Sequence, residues 1–296
     1  MSLTALLAQI PPLFIGACLL LGLLIGSFLN VVVHRLPVML ERQWQHEADT
    51  LQGREPQTLP RYDLIHPRSA CPACHTPIAA RHNLPLLGWL WLRGRCHHCQ
   101  APISVRYPLV EALTGLASAV VAWRFGVGAS AALALLLTWA LIALACIDLD
   151  TQLLPDSITL PLLWLGLATA ATLPQGADGD LPIDLHSAVV GALAGYLSLW
   201  SVHHLFRLVT GKQGMGHGDF KLLAALGAWL GWQQLLPVIL ASAGVGAAVG
   251  IALIATGRQQ RDTPLPFGPF LAAAGWLMLL CGHELVDRYL ALYAPR

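Results

Sequence analysis

An all-α polytopic membrane protein, with about eight transmembrane helices and a small cytoplasmic zinc-binding insert, is the fold class this sequence predicts. Three observations carry it. The 296-residue chain is 56% hydrophobic and 11% charged, whereas soluble domains carry about 25% charged residues. Apolar stretches near the roughly 20 residues that cross a bilayer recur from end to end. One long polar segment, 35–106, interrupts them and holds four paired cysteines.

The first predicted span is 13–33. It holds Gly16, Gly22, Gly26 and Ser27, small residues that let helices approach closely. Asn30 and then His34-Arg35 mark its polar end. It lacks a basic n-region and a small-residue cleavage site, so it is expected to be retained as a helix. Further spans are expected near 108–124, 129–147, 157–173, 187–209, 220–233, 235–256 and 267–283. The one starting at Phe220 is short and contains Gly227 and Gly231, so a tilted or protein-buried helix is expected there. The predicted domains are a first helix over 1–34, an insert over 35–106 and a seven-helix core over 107–296.

Charge orients these spans. Nine arginines lie between 35 and 106, and basic loops stay cytoplasmic. Alternation then puts 174–186 outside, and that loop carries Asp178, Asp180 and Asp184 with no Lys or Arg. Arg207, Lys212, Lys221, Arg258 and Arg261 fall inside, while Arg124, Arg288 and Arg296 are an outside minority. Both chain ends are therefore expected outside. The net charge of +1 gives no reason to expect a nucleic-acid partner.

Two acidic stretches sit at the cytoplasmic ends of predicted spans. One is Asp148-Leu149-Asp150, with Pro155-Asp156 beyond it; the other is Asp219, within the glycine-rich Gly214–Lys221. Ionisable groups at membrane depth are costly and point to function. One ionised acid can activate water while a protonated one donates to a carbonyl, and two close carboxyls split their pKa values to allow it. The same residues also suit capping: Asp219 and Asp156 both precede apolar helices, and Asp is a good N-cap. Asp148 and Asp150 also fit a solvated loop.

Cys71, Cys74, Cys96 and Cys99 form C-x2-C-x21-C-x2-C. Four thiolates at this spacing read as a closed tetrahedral zinc site that supports folding. Two redox pairs are the alternative, though a cytoplasmic loop disfavours disulfides. His75, His97 and His98 are adjacent, but four cysteines already complete a shell. Trp89 and Trp91 suggest an amphipathic piece resting on the knuckles or at the membrane interface. Cys18, Cys146 and Cys281 lie in apolar runs, as small core residues do.

Gly216-His217-Gly218-Asp219 resembles the Gly-x-Gly-Asp motif of membrane aspartyl proteases. The wider stretch Gly214 to Trp229 resembles the type IV prepilin peptidases. So do Asp148 to Asp156, Gly26 to Val31 and Arg106 to Glu111, in the family's order. The resemblance implies an inner-membrane aspartyl endopeptidase. Its expected substrates are prepilins and pseudopilins of type IV pilus or type II secretion systems. Its basic-leader cleavage is expected at the cytoplasmic face. It implies Asp148, seven residues before Pro155, and Asp219 as the catalytic pair, with Asp150 and His217 unassigned. It also implies methylation of the new N-terminus, with S-adenosylmethionine as methyl donor. No Rossmann-type nucleotide fingerprint is visible, so the residues that bind the methyl donor are unknown. Gly94-Arg95 resembles a Gly–basic pair tied to methyl transfer in the family and also fits a knuckle turn. A polytopic transporter with a structural zinc module is the alternative function, but no internal repeat of the transporter kind is present. A zinc hydrolase would need an open coordination position, which four cysteines do not leave.

Overall fold

The computed structural model describes residues 3–55, 59–176, 181–211, 215–257, 260 and 265–293. Asp178, Asp180, Lys212, Gly214, Arg258, Arg261 and Arg296, used above, lie outside the described residues, as does the side chain of Arg288. Among the described residues the secondary structure is helical, apart from two isolated β-bridges. The chain divides into two compact units, Met1–Val127 and Gly128–Arg296.

In the first unit a short α1 (Leu3–Gln9) leads into α2 (Pro11–Leu51). Proline at the first helical positions leaves no amide to satisfy there. α2 does not stop at His34. It runs on through a polar sequence to Leu51, so part of the predicted insert is helix. Its apolar half packs on α4 (Arg106–Phe125) through small residues. A Cβ on Gly26 would stand 2.8 Å from Glu111 Cα, and one on Gly115 would stand 2.8 Å from Leu23 Cδ2.

The chain returns along the polar half of α2 as a strap. Buried Arg35 donates to the carbonyls of Asp63 at 2.9 Å and Pro67 at 2.6 Å. The Arg42 guanidinium lies over the Tyr62 ring, 4.4 Å from its centroid. Asp63 closes its own turn, accepting from the amides of His66 and Ile65 and from Arg61. The His66 amide first, then Arg61 and the Ile65 amide, hold its carboxyl at about 2, below the ordinary carboxylate range.

The second unit is built around α8 (His217–Leu230), where eleven of 14 residues are buried. α6 (Asp156–Thr172), α7 (Leu185–Thr210) and α10 (Gly268–Tyr293) surround it, and α5 (Ala129–Thr151) packs on α10. α9 (Leu235–Ala255) is mostly exposed. Glycines set the approach. Gly191 meets the Gly227 backbone directly, and a Cβ on Gly195 would lie 2.5 Å from the Leu223 carbonyl. The Trp229 indole donates to the Leu162 carbonyl at 2.8 Å. Gly231, at φ +85°, ends α8 in a conformation that suits glycine.

Each of the eight predicted spans coincides with a helix, though boundaries shift. α5 runs to Thr151 and α8 starts at His217, so each reaches further toward its acid than expected. Among the described residues five helices are long and apolar enough to cross a bilayer: α2, α4, α5, α7, and α9 with the turn before it. α6 at 17 residues and α8 at 14 fall short of the roughly 20 needed. α8 is enclosed by protein rather than exposed along its length.

Candidate active site

Asp148 is not a loop residue. It lies in the last turn of α5 and is 5% exposed. The helix continues past it until Gln152 adopts a left-handed conformation and caps the end. The buried Oδ2 accepts a hydrogen bond from the Gly268 amide at 2.9 Å. Gly268 opens α10, so its amide is one of the donors a helix N-terminus leaves free. A Cβ at Gly268 would stand 2.7 Å from that same oxygen, so only glycine permits the approach.

Asp219 is not an N-cap, as capping by this residue would require. Gly216 is the N-cap, and Asp219 is the third residue of α8, 7% exposed. From there its carboxylate turns back to the Gly216 amide, as acids at this position do. A Cβ on Gly216 would lie 3.8 Å from Oδ2.

Leu154, in the turn between α5 and α6, brings the two acids together. A Cβ on Gly218 would be 2.7 Å from its Cβ, and one on Gly268 would be 3.1 Å from its Cδ2. The α8 start and the α10 start thus close on one buried leucine. The Asp148 carboxyl lies near enough to act electrostatically on Asp219. Two buried carboxyls, each held by one glycine amide, form one cluster inside a helical unit.

The neighbouring residues sort differently. Asp150 is exposed, two residues on and so on the opposite face of the helix from Asp148. Asp156 is the first residue of α6, with Pro155 as its N-cap. Its two oxygens accept from Lys221 Nζ, each at 2.7 Å, which ties the α6 start to α8 two residues past Asp219. His217 opens α8 and packs against Phe220 and His203. Leu154, Asp156 and Lys221 lie within the motif stretches, but their contacts, and the part played by Gly268, are not legible from them. A Pro-Phe-Gly-Pro run at 266–269 is the only signal that marked Gly268.

In the first unit, the two C-x-x-C pairs form equivalent knuckles. Each starts at a bridge, Ala70 to Pro77 or Arg95 to Pro102. In each, the first cysteine's amide bonds a carbonyl five residues on, at 3.0 Å for Cys71 and 2.8 Å for Cys96. His75 and Gln100 take matching left-handed conformations. The four Sγ atoms lie within 4.8 Å of one another, with Cys71–Cys99 at 3.7 Å and Cys74–Cys96 at 4.0 Å. Zinc–sulfur bonds of about 2.3 Å in a tetrahedron need sulfurs about 3.8 Å apart, so the cluster fits a metal of that kind. The Trp89 indole donates to the Ile103 carbonyl and its ring covers Gly94, so it rests on the second knuckle. Trp91 points outward and is 73% exposed. Gly94 and Arg95 are backbone members of that knuckle.

Fold and site together define a polytopic, all-α membrane protein with a buried pair of carboxyls and a four-cysteine module. The family model for the bacterial peptidase A24 N-terminal domain matches residues 20–125, and that for the type IV leader peptidase family matches 135–251. A protein of Aeromonas salmonicida named prepilin leader peptidase/N-methyltransferase is 55% identical over 95% of this chain and 96% of its own. Proteins of the same name from Pseudomonas aeruginosa and Stutzerimonas stutzeri are 52% identical over 98% of both chains, and 51% identical over 96% of both. The chain belongs to the type IV leader peptidase family. No solved structure matches it.

Proposed function

We propose that this protein is a membrane aspartyl endopeptidase that removes the basic leader from type IV prepilins and pseudopilins and N-methylates the new N-terminus. The observation that carries the reading is the cluster of Asp148 and Asp219, both buried and drawn together around Leu154. The names of the relatives support the substrate and the second activity.

In the peptidase step one aspartate, ionised, takes a proton from water as it attacks the scissile carbonyl. The other, protonated, donates to the carbonyl oxygen. The Gly268 amide fixes the Asp148 carboxyl, and the Gly216 amide fixes that of Asp219. Both carboxyls are shielded from bulk water by their burial. Asp148 and Asp219 are the catalytic pair in this reading.

Cys71, Cys74, Cys96 and Cys99 hold a structural zinc that orders the knuckles and takes no part in cleavage. Methyl transfer draws on S-adenosylmethionine, the common biological sulfonium donor. The membrane helices lie in the inner membrane with the cysteine insert and the acids facing the cytoplasm, on the strength of the arginine-rich 35–106 segment. The division into a first helix over 1–34, an insert over 35–106 and a seven-helix core over 107–296 belongs to the same reading.

Purified protein given a pilin-leader peptide should release the leader and leave a methylated mature N-terminus, read by mass. An intact peptide after incubation would refute the peptidase. An unmethylated product in the presence of donor would refute the second activity. In cells, an impermeant thiol reagent should reach a cysteine placed at Asp180 and not one at Gln213, positions outside the described residues. The opposite pattern would invert the topology.

A further inference from the structure

Among the described residues the first unit buries one carboxyl that the peptidase does not use. Glu111 stands five residues into α4, about 7.5 Å along the helix axis at 1.5 Å per residue. It is 8% exposed. Its Oε2 accepts from the Leu86 amide at 2.8 Å. Among the described residues no cation pairs with it. The polar groups around it are already engaged: Thr114 and Ser118 donate to carbonyls of α4, and Asn30 donates to the Tyr107 carbonyl.

A buried carboxylate with one neutral donor is poorly compensated, and an acid within a membrane helix calls for a partner. The donor is itself held at a cost. Leu86 sits at φ 58°, ψ −51°, and the Leu87 amide bonds the Pro85 carbonyl at 2.6 Å, a strained γ-turn. Such strain persists where the surroundings impose it. The turn brings an amide to one oxygen of Glu111 and no positive charge with it.

We propose that Glu111 is the binding residue for the cationic group of the methyl-transfer step. This rests on the N-methyltransferase reading above. The reaction offers two monocations: the α-ammonium of the cut substrate and the sulfonium of the methyl donor. The new N-terminus lies where an apolar stem meets the membrane boundary, and Glu111 lies about one turn inside a membrane helix. In the transfer itself the deprotonated amine forms a bond to the methyl carbon. The carbon–sulfur bond breaks with its electron pair left on sulfur, and the surplus proton on nitrogen leaves to water. Glu111 steadies the positive charge throughout this exchange.

Glu111→Gln separates charge from latch, because the amide oxygen still accepts from Leu86. The full chain in nanodiscs is titrated with an apolar peptide bearing a free α-amine and with its N-acetylated twin. It is titrated in parallel with S-adenosylmethionine and with its neutral demethylated product. Losing one partner of a buried charge pair costs at least about tenfold in affinity. Glu111→Gln should therefore erase an approximately tenfold preference for the charged member in one of the two pairs, and the affected pair identifies the cation. Methylation of the pre-cut peptide should fall in step, with zinc content and melting temperature unchanged. Unchanged preference in both pairs, or wild-type methylation, would overturn the proposal. So would a fall in melting temperature matching the loss of binding, since that is the behaviour of a latch. A wild-type protein that neither binds nor methylates the peptide would instead count against the methyltransferase reading.

Discussion

The Gly268 amide donates to Asp148 Oδ2 at 2.9 Å, linking residues 120 apart in sequence. The contact leaves no space: a Cβ at Gly268 would stand 2.7 Å from that oxygen and 3.1 Å from both the Asp148 carboxyl carbon and Leu154 Cδ2. Gly268→Ala should therefore displace the acid. Overpacking costs about 1–3 kcal/mol, or roughly five- to 150-fold in kcat if it falls on the transition state. Leader-cleavage kinetics should show that loss in kcat with KM little changed. Wild-type kcat would mean the glycine amide does not set the position of Asp148.

The Lys221–Asp156 pair joins the first residue of α6 to α8. Its side chains are 29% and 55% exposed, so screening limits it. A double-mutant cycle with Lys221→Met and Asp156→Asn should give a coupling of about 0.2–1 kcal/mol in thermal stability, shrinking as salt is raised. Strict additivity at low salt would remove the pair from the account.

The Asp63 turn gives the strap a pH signature. Its folded pKa lies at about 2, below the roughly 3.9 of an unfolded Asp. A depressed folded value means that stability is fully present above about 4 and is lost as pH falls toward about 2. Asp63→Asn should lower the melting temperature at pH 5, and the difference from wild type should shrink steadily as pH falls through about 2. A difference constant across that range would show that the carboxylate charge is not what holds the turn.

Purified protein should contain about one zinc, and Cys71→Ser with Cys74→Ser should remove it. The melting temperature should fall, because metal binding to such a module is folding energy. Leader cleavage should survive at temperatures where the remaining fold persists. Metal-free wild-type protein with four reactive thiols in the insert would contradict the site.

Residue type and spacing made both acids and the four cysteines legible as candidates, because those side chains carry the chemistry themselves. What surrounds Asp148 and Asp219 was not legible. Gly268 acts through its backbone amide and the lack of a Cβ, which leaves no side-chain signature; Gly216 and Gly218 stand out as a motif, but the amide and the close approach to Leu154 they supply do not. Charges at Asp148 and Asp150 read as the end of a span, yet α5 continues to Thr151 because Asp148 is buried inside protein. Glycines before Asp219 read as loop, yet α8 begins at His217. The polar half of α2 read as loop for the same compositional reason. There Arg35, Arg42 and the strap around Asp63 pack along the helix.

The central claim is that Asp148 and Asp219 act as one catalytic pair. Initial rates of leader cleavage by purified Asp148→Asn, Asp219→Asn and Asp150→Asn proteins, against wild type in the same lipid, test it most directly. Removing a general acid or base costs about a hundred- to ten-thousandfold. The first two proteins should each lose at least about a hundredfold, while the third retains most of its activity because Asp150 is exposed and outside the cluster. Wild-type rates from either Asp148→Asn or Asp219→Asn, or an inert Asp150→Asn beside an active Asp148→Asn, would contradict the account.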